Sequence, residues 1–141
     1  MKRRLLIVVF LAMVLIAAAC GNKDSEGPSN LPVEWVNAHI QKDQGKMAEL
    51  LDQEETALDP EDKADNNLEV KNYKLTEWKA SDKRYFYEVV YEHPKKKGLK
   101  TEEMEVIKTK DGWKRTEYGS VYNFKQLVAD LEPEVLKELH D

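Results

Sequence analysis

The chain contains a single cysteine, Cys20, and this scarcity excludes an intrachain disulfide. Small exported domains often use disulfides to supplement a small core, so the stability of this domain has to come from packing. Basic residues are also in deficit, with 22 Lys and Arg against 27 Asp and Glu. This acidic balance argues against nucleic acid as a partner.

Patterns typical of a nucleophilic catalyst, a metal site or a phosphate-binding glycine loop are absent from the sequence. The acidic segment that begins at Asp59 comes closest to a calcium loop. Its spacing fails, because Ala64 stands where an EF-hand needs glycine and Val70 stands where it needs a bidentate glutamate. We therefore predict no catalytic residue, no cofactor and no metal site.

Long apolar runs are absent except at the start of the chain, where residues 5–19 are all apolar and follow Lys2, Arg3 and Arg4. A transmembrane helix needs about 20 such residues, and this run has 15. The positive start and the small residues at its end are typical of an export signal. Residues 1–19 are therefore predicted to be a cleaved signal peptide.

The signal ends in Ala17-Ala18-Ala19-Cys20-Gly21, which resembles the bacterial lipobox. Ala17 stands where that family usually has leucine. The resemblance implies cleavage before Cys20, a diacylglyceryl group on its sulfur, and a lipoprotein anchored at the extracytoplasmic face of the cell membrane. Two acyl chains hold a protein on a bilayer stably, whereas one does so only marginally. The alternative is an ordinary secretory signal with a chance cysteine.

Removal of the signal takes three basic residues and no acidic ones, so the net charge falls from -5 to -8. Residues 20–30 are predicted to be the lipidated cysteine and a flexible tether, because this stretch offers no large apolar side chain to bury. Such a tether has a root-mean-square length of roughly 17 Å. Residues 31–141 then form a single α+β domain.

The domain is predicted to begin with a long N-terminal helix that packs on the sheet and opens at Pro32, where the missing N–H costs nothing. Its apolar residues recur at helical spacing and share one face. These residues are Val33, Val36, Ile40, Met47 and Leu51.

Two residues lie off the centre of this helical stripe. For Trp35, two interpretations stay open: partial burial under a neighbouring element and contact with a ligand. His39 is interpreted as a structural or surface residue, with catalysis as the alternative. The connector 53–68 that follows is acidic and is predicted to be a short helix or an ordered loop.

The centre of the chain predicts a curved antiparallel sheet of about four strands, because it is rich in β-branched and aromatic residues divided by turn signals. Asp111-Gly112 is a favoured two-residue hairpin loop. It would pair Lys110 with Trp113 and set Lys108 against Arg115, an unfavourable like-charge pair, so a bulge or a longer loop is the alternative. The four predicted strands are residues 70–79, 84–93, 99–109 and 113–118.

The second strand alternates, with Tyr85, Tyr87, Val89 and Tyr91 on one face. Packing of this face against the helix is the preferred interpretation, and a carbohydrate or small-ligand site is the alternative. The run Lys95-Lys96-Lys97 is placed at a hairpin tip. It is interpreted as a charged, aggregation-blocking loop, with contact to anionic lipid or wall polymer as the alternative.

The end of the chain predicts a C-terminal helix. Asn123 and Gln126 form a start like a capping box, and Pro133 should kink or restart the helix. Apolar residues continue at helical spacing on both sides of this proline. They are Phe124, Leu127, Val128, Leu131, Val135, Leu136 and Leu139.

The order of a long helix, an acidic connector and antiparallel strands resembles the small NTF2-like or cystatin-like domains of bacterial envelope lipoproteins. Residues 32–51 and 110–114 are the most similar stretches. The resemblance implies a bent sheet that wraps the first helix around a cone-shaped pocket. NTF2-like enzymes place an acid or a histidine in that pocket, and no position here matches such a motif.

The predicted function is a binding or accessory module in the cell envelope. Its expected partners are the membrane, through the diacylglyceryl group on Cys20, and an envelope protein or a wall polymer. The alternative function is a small pocket enzyme of NTF2-like type that uses an Asp, a Glu or His39 as a general base. A pocket that holds a buried carboxylate near a tyrosine would favour the enzyme.

Overall fold

The computed structural model describes residues 27–141. The predicted signal peptide, Cys20 and most of the predicted tether lie outside the described residues. In chain order the elements are α1 (Leu31–Gln41), α2 (Gln44–Leu50), β1 (Tyr73–Ser81), β2 (Arg84–Glu92), β3 (Leu99–Thr109), β4 (Gly112–Arg115), α3 (Phe124–Leu127) and β5 (Pro133–Lys137).

The strands form one antiparallel sheet in the order β4-β3-β2-β1-β5. The α+β class and the four predicted strands are confirmed, with small differences at the strand ends, and a fifth strand is added. In the β2–β3 pair Tyr85 lies opposite Val106 and Tyr91 lies opposite Lys100. The β1–β2 and β3–β4 turns therefore lie at one end of the sheet, and the β2–β3 turn lies at the other.

The prediction of one long first helix is wrong, because the chain forms two shorter helices. Lys42 adopts the left-handed conformation with φ 56°, and its N–H donates to the carbonyls of Ala38 and His39. This is the usual way in which an α-helix closes. Asp43 then caps α2, and its carboxylate accepts a hydrogen bond from the Lys46 N–H at 2.9 Å.

Helices α1 and α2 cover one face of the sheet. The β2 residues that face them are buried, and Tyr87 and Val89 have no exposed surface. The packing interpretation of the tyrosine face is thereby confirmed. Trp35 is only 1 % exposed, which is deeper than the partial burial predicted. The helix–sheet interface is filled by these side chains, whereas the NTF2-like resemblance implied a cone-shaped pocket there.

The opposite face of the sheet carries a smaller apolar cluster around Phe86. The Phe124 ring meets the Phe86 and Trp78 rings edge to face, at centroid distances of 6.0 and 5.4 Å. Both faces of β2 are thus covered at its start. The odd residues of β2 face the main core, and Phe86 faces the small one.

The prediction of a C-terminal helix over residues 123–139 is wrong beyond its first turn. Asn123 is left-handed and forms no side-chain cap, and α3 ends at Leu127. Residues 133–137 instead pair with the edge of β1, with Pro133 opposite Trp78. A proline at the start of an edge strand costs no ladder hydrogen bond, and the pairing covers an edge that would otherwise be open.

The β3–β4 hairpin has a different register from the predicted one. Its two-residue loop is Lys110-Asp111, because Thr109 lies opposite Gly112. Gly112 has φ 102°, a conformation that favours glycine. Arg115 consequently lies opposite Val106, so the like-charge pair with Lys108 does not form.

The connector is an ordered loop between α2 and β1, one of the two predicted outcomes. It is held to the helices by side-chain hydrogen bonds. The Gln41 amide donates to the Leu68 carbonyl at 2.8 Å, and the Asn37 side chain accepts the Val70 N–H at 2.8 Å. These bonds fix the loop against the end of α1.

Packing of the domain begins upstream of residue 31. Pro28 is buried, and a Cβ atom on Gly27 would lie 2.8 Å from the Tyr85 ring. The last residues of the predicted tether are therefore part of the folded domain. We call the end of the sheet where Gly27 contacts Tyr85 the Gly27 end; it includes the β1–β2 and β3–β4 turns.

Candidate functional site

An open cleft of about 810 Å³ lies at the opposite end of the sheet, which we call the cleft end. It is formed by the end of α1, the α1–α2 turn, the connector and the β2–β3 hairpin. Its lining residues are His39, Ile40, Lys42, Asn66, Leu68, Tyr91, His93, Lys95, Lys96, Leu99, Lys100, Thr101 and Glu102.

The charge of the cleft is opposite in sign to that of the chain. Four lysines line it, namely Lys42, Lys95, Lys96 and Lys100, and Glu102 is its one acidic lining residue. Within residues 27–141 none of these lysines forms an ion pair with a carboxylate. The cleft is therefore a local surplus of positive charge on an acidic protein.

Glu102 has two partners, Arg115 and His39. Its carboxylate lies 3.5 Å from the Arg115 guanidinium and 3.5 Å from Nδ1 of His39. Burial alone would raise the pKa of Glu102, but the hydrogen bond from His39 and the charge of Arg115 outweigh it, so the pKa lies below its usual value. Glu102 is thus held ionised and directed at Arg115.

Arg115 forms the buried support beneath this carboxylate and is only 1 % exposed. Its Nε donates to the Glu117 carbonyl at 2.6 Å and its Nη2 to the Gly119 carbonyl at 2.8 Å. The guanidinium also lies 4.3 Å from the centroid of the Trp35 ring, a cation–π contact. Each nitrogen of the guanidinium therefore has a partner within the protein.

His93 organises the lysine-bearing hairpin tip. Its Nδ1 accepts the N–H groups of Lys95 and Lys96 at 3.0 and 3.2 Å, which requires the neutral ring. Burial and the nearby charges of Lys96 and Lys100 lower the pKa of His93. The neutral histidine therefore holds the loop in the conformation that presents these lysines.

Apolar surface accompanies the charge in the cleft. Leu99 is 57 % exposed at the rim, and Ile40 and Leu68 are half-buried in the wall. The Tyr91 ring is buried, and its pKa is raised by burial and by the charge of Glu102. A ligand with both anionic groups and apolar stretches would find partners for each.

Another depression, of about 640 Å³, lies against the acidic connector. It carries Asp52, Glu54 and Glu55 on its lining, but within the described residues no three acidic, histidine or cysteine side chains gather as a metal-binding group.

Among residues 27–141, none of the helices is both long and apolar enough to span a membrane.

The structure distributes the residues singled out in the sequence over different places. His39 and two lysines of the 95–97 run lie in the cleft, whereas Tyr85 and Tyr87 lie in the core. Cys20 lies outside the described residues. Sequence reasoning missed Lys42, Lys100, Glu102 and Arg115 as members of one site, because Lys42 and Arg115 are separated in sequence from residues 100–102 and no local motif joins them.

His140, for which the sequence shows no partner, is clamped by Asn72. The side-chain Oδ1 of Asn72 accepts the backbone N–H of His140 at 2.6 Å, and Nδ2 of Asn72 lies 3.0 Å from Nδ1 of the His140 ring. This pair ties the end of the chain to the segment before β1. It stabilises the position of β5 rather than contributing to the cleft.

Comparisons of this chain with protein-family models, with curated proteins and with solved structures give no match. The cleft is therefore interpreted from its own geometry and charge.

Proposed function

We propose that this protein is a membrane-anchored extracytoplasmic lipoprotein whose folded domain acts as a binding module in the cell envelope, with the cleft as its binding site. The observation that carries the binding role is the surplus of lysine charge around an open cleft on a chain of net charge -8 after signal removal. The anchor is supported by the lipobox-like residues 17–21.

The position of Gly27 supports an arrangement in which the cleft points away from the membrane. Seven residue steps separate Cys20 from Gly27, and fully extended they span at most about 25 Å. Gly27 is packed against Tyr85, while the cleft includes Tyr91 on the same strand. These two residues lie about 20 Å apart along the strand, so the chain from Cys20 joins the domain at the end opposite the cleft.

A small pocket enzyme is the second candidate, and one observation favours it. Glu102 is a partly buried carboxylate beside Tyr91, which is the combination that the enzyme hypothesis requires. Its depressed pKa makes it a weak general base at neutral pH, because an efficient base has a pKa near the working pH. The binding module is therefore the better supported function.

The anchor is tested on the protein isolated from its cells. Mass spectrometry of the amino-terminal peptide should show Cys20 as the first residue with a diacylglyceryl group, and Cys20→Ala should move the protein out of the membrane fraction. An intact Met1, or an unmodified Cys20 sulfur, would overturn the anchor.

The binding role is tested by crosslinking on intact cells. The wild type should recover a specific envelope protein or polymer. Recovery of no specific partner, with the wild type behaving like Cys20→Ala, would count against the binding module.

A further inference from the structure

We propose that the cleft binds a polyanion made of linked phosphate groups in the space outside the membrane. The choice of site rests on the proposed function. The juxtaposition that carries this inference is the meeting of three lysine-bearing segments around one cleft. These are the α1–α2 turn with Lys42, the hairpin tip with Lys95 and Lys96, and the start of β3 with Lys100.

Ion pairing at the Gly27 end is partial. Lys79 lies 2.9 Å from Asp82 and Arg84 lies 2.5 Å from Glu105, whereas Lys83 and Lys110, on two separate turns, form no ion pair within the described residues. Across residues 27–141, the four cleft lysines have no such carboxylate partners. Clustered like charges without counter-charges repel one another, and a bound anion would relieve that repulsion.

The one carboxylate in the cleft does not neutralise these lysines. Glu102 is directed at Arg115 and His39, each at 3.5 Å. Glu69 and Glu92 line a separate depression on the other side of His93. The lysine charge is therefore left to a ligand.

The type of cation indicates how the anion is recognised. Lysine is a compact point charge that binds phosphate without imposing a geometry, whereas the planar fork of arginine imposes a bidentate geometry on carboxylate and phosphate alike. The guanidinium nearest the cleft, Arg115, is already used by Glu102, Trp35 and two carbonyls. The cleft therefore recognises charge density rather than a planar group.

The spacing of the lysines indicates a polymer rather than a single ion. They come from three segments around an open cleft of about 810 Å³, a space far larger than one phosphate group fills. A chain of phosphates can contact them in turn, with Leu99 beside its linking groups. Because the cleft lies at the end away from the anchor, the phosphates of the protein's own membrane are the less accessible source.

The test measures binding of fluorescent inorganic polyphosphate to the full chain purified in detergent. Lys96→Gln with Lys100→Gln should weaken binding roughly tenfold, as expected for the loss of two exposed charge contacts. The matched control is Lys83→Gln with Lys110→Gln, which removes the same charge from the turns of the Gly27 end. It should change the dissociation constant by about twofold or less.

Three outcomes would overturn the proposal. They are no measurable binding of polyphosphate, equal weakening by the two lysine pairs, and equal or tighter binding of poly-glutamate of the same charge. The unfolding midpoints of all variants are measured alongside, so that a loss of folding is not taken for a loss of contact.

A vesicle experiment separates the two sources of phosphate. The lipidated full chain is reconstituted in vesicles with and without roughly one third anionic phospholipid. Polyphosphate should bind equally well to both, because the cleft points away from the bilayer. Strong competition by the anionic lipid would show that the lysines face the membrane and would overturn the assignment to a polymer.

The mass of Cys20 is measured on the same preparations. A lipidated Cys20 with no polyphosphate binding would leave the anchor intact and remove this inference. An unmodified Cys20 with selective binding of polyphosphate would overturn the anchor and leave this inference intact.

Discussion

The two ends of the sheet both carry basic side chains but arrange them differently. At the Gly27 end, Lys79 and Arg84 are paired with carboxylates of the β1–β2 turn and of β3, and Lys83 and Lys110, which form no ion pair within the described residues, lie on two separate turns. At the cleft end, the exposed lysines have no carboxylate partner in the described part of the chain, and the one acid, Glu102, is bound to Arg115. The convergence of unpaired lysines on one cleft, rather than the number of lysines, thus distinguishes the candidate binding site from the other end of the sheet.

The largest expected effect comes from the buried arginine. Arg115→Met should destabilise the fold by about 3–5 kcal/mol, because it leaves Glu102 partly buried without its main counter-charge. The measurement is the free energy of unfolding in urea. The matched control at the other end is Arg84→Met, whose side chain is 47 % exposed in its pair with Glu105, with an expected loss of about 1 kcal/mol or less. Equal losses would break the comparison.

The packing of the Gly27 end is tested by adding one methyl group. Gly27→Ala would place a Cβ 2.8 Å from the Tyr85 ring, and the ring is held between Tyr87 and Trp113. We expect a loss of about 1–2 kcal/mol on unfolding. Gly119→Ala is the control, since no heavy atom lies within 4 Å of its added Cβ, and it should stay within about 0.5 kcal/mol. Equal losses of unfolding free energy in the two variants would contradict the packing of Gly27 against Tyr85.

Acid should loosen the cleft end selectively. The pKa of His93 is lowered in the folded protein, so the neutral ring is favoured there. Its stabilisation of the loop is complete above the unfolded pKa of about 6.5 and is lost as the pH falls through the lower, folded value. Hydrogen exchange of the Lys95 and Lys96 amides, corrected for intrinsic rates, should then accelerate by about three- to tenfold.

The amides of the β1–β2 turn at the Gly27 end serve as the internal control for this measurement. Their corrected exchange rates should not change over the same pH range, because His93 does not contact them. Constant exchange at Lys95 and Lys96 would contradict the role given to His93.

The smallest expected effect is electrostatic. Lys96→Gln should raise the pKa of His93, because the charge of Lys96 is one of the causes that lower it. Lys83→Gln should leave that pKa unchanged, because Lys83 lies at the other end of the sheet from His93 and salt screens its charge over that distance. NMR titration of the His93 ring measures both. Identical titration curves for the two variants would show that the lysine cluster has no effect at the cleft.

The strands of the sheet could be predicted because their signal is local. The alternation along residues 84–92 predicted the face of β2 that the helices bury. The C-terminal segment could not be predicted in this way, since Val135 and Leu136 suit either a helix or a strand. Its state is decided by pairing with the distant edge of β1, and pairing between distant segments leaves no local periodicity.

The first helix shows the same limit at a smaller scale. Apolar residues continue at helical spacing through residue 51, yet the chain turns at Lys42 in the left-handed conformation. Packing of α2 against β4 and the cap at Asp43 stabilise that turn. These contacts join residues that are distant in sequence, so the helical periodicity of the apolar residues did not reveal the break between α1 and α2.

The sequence by itself determined the absence of a disulfide, the acidic net charge and the two-faced pattern of the second strand, because each depends on composition or on neighbouring residues. Only the tertiary structure decided which lysines are neutralised and which surround the cleft. Residues 42, 95, 96, 100, 102 and 115 meet through strand register and the break between α1 and α2. Electrostatic interactions depend on distance in space, and folding sets that distance independently of separation along the chain.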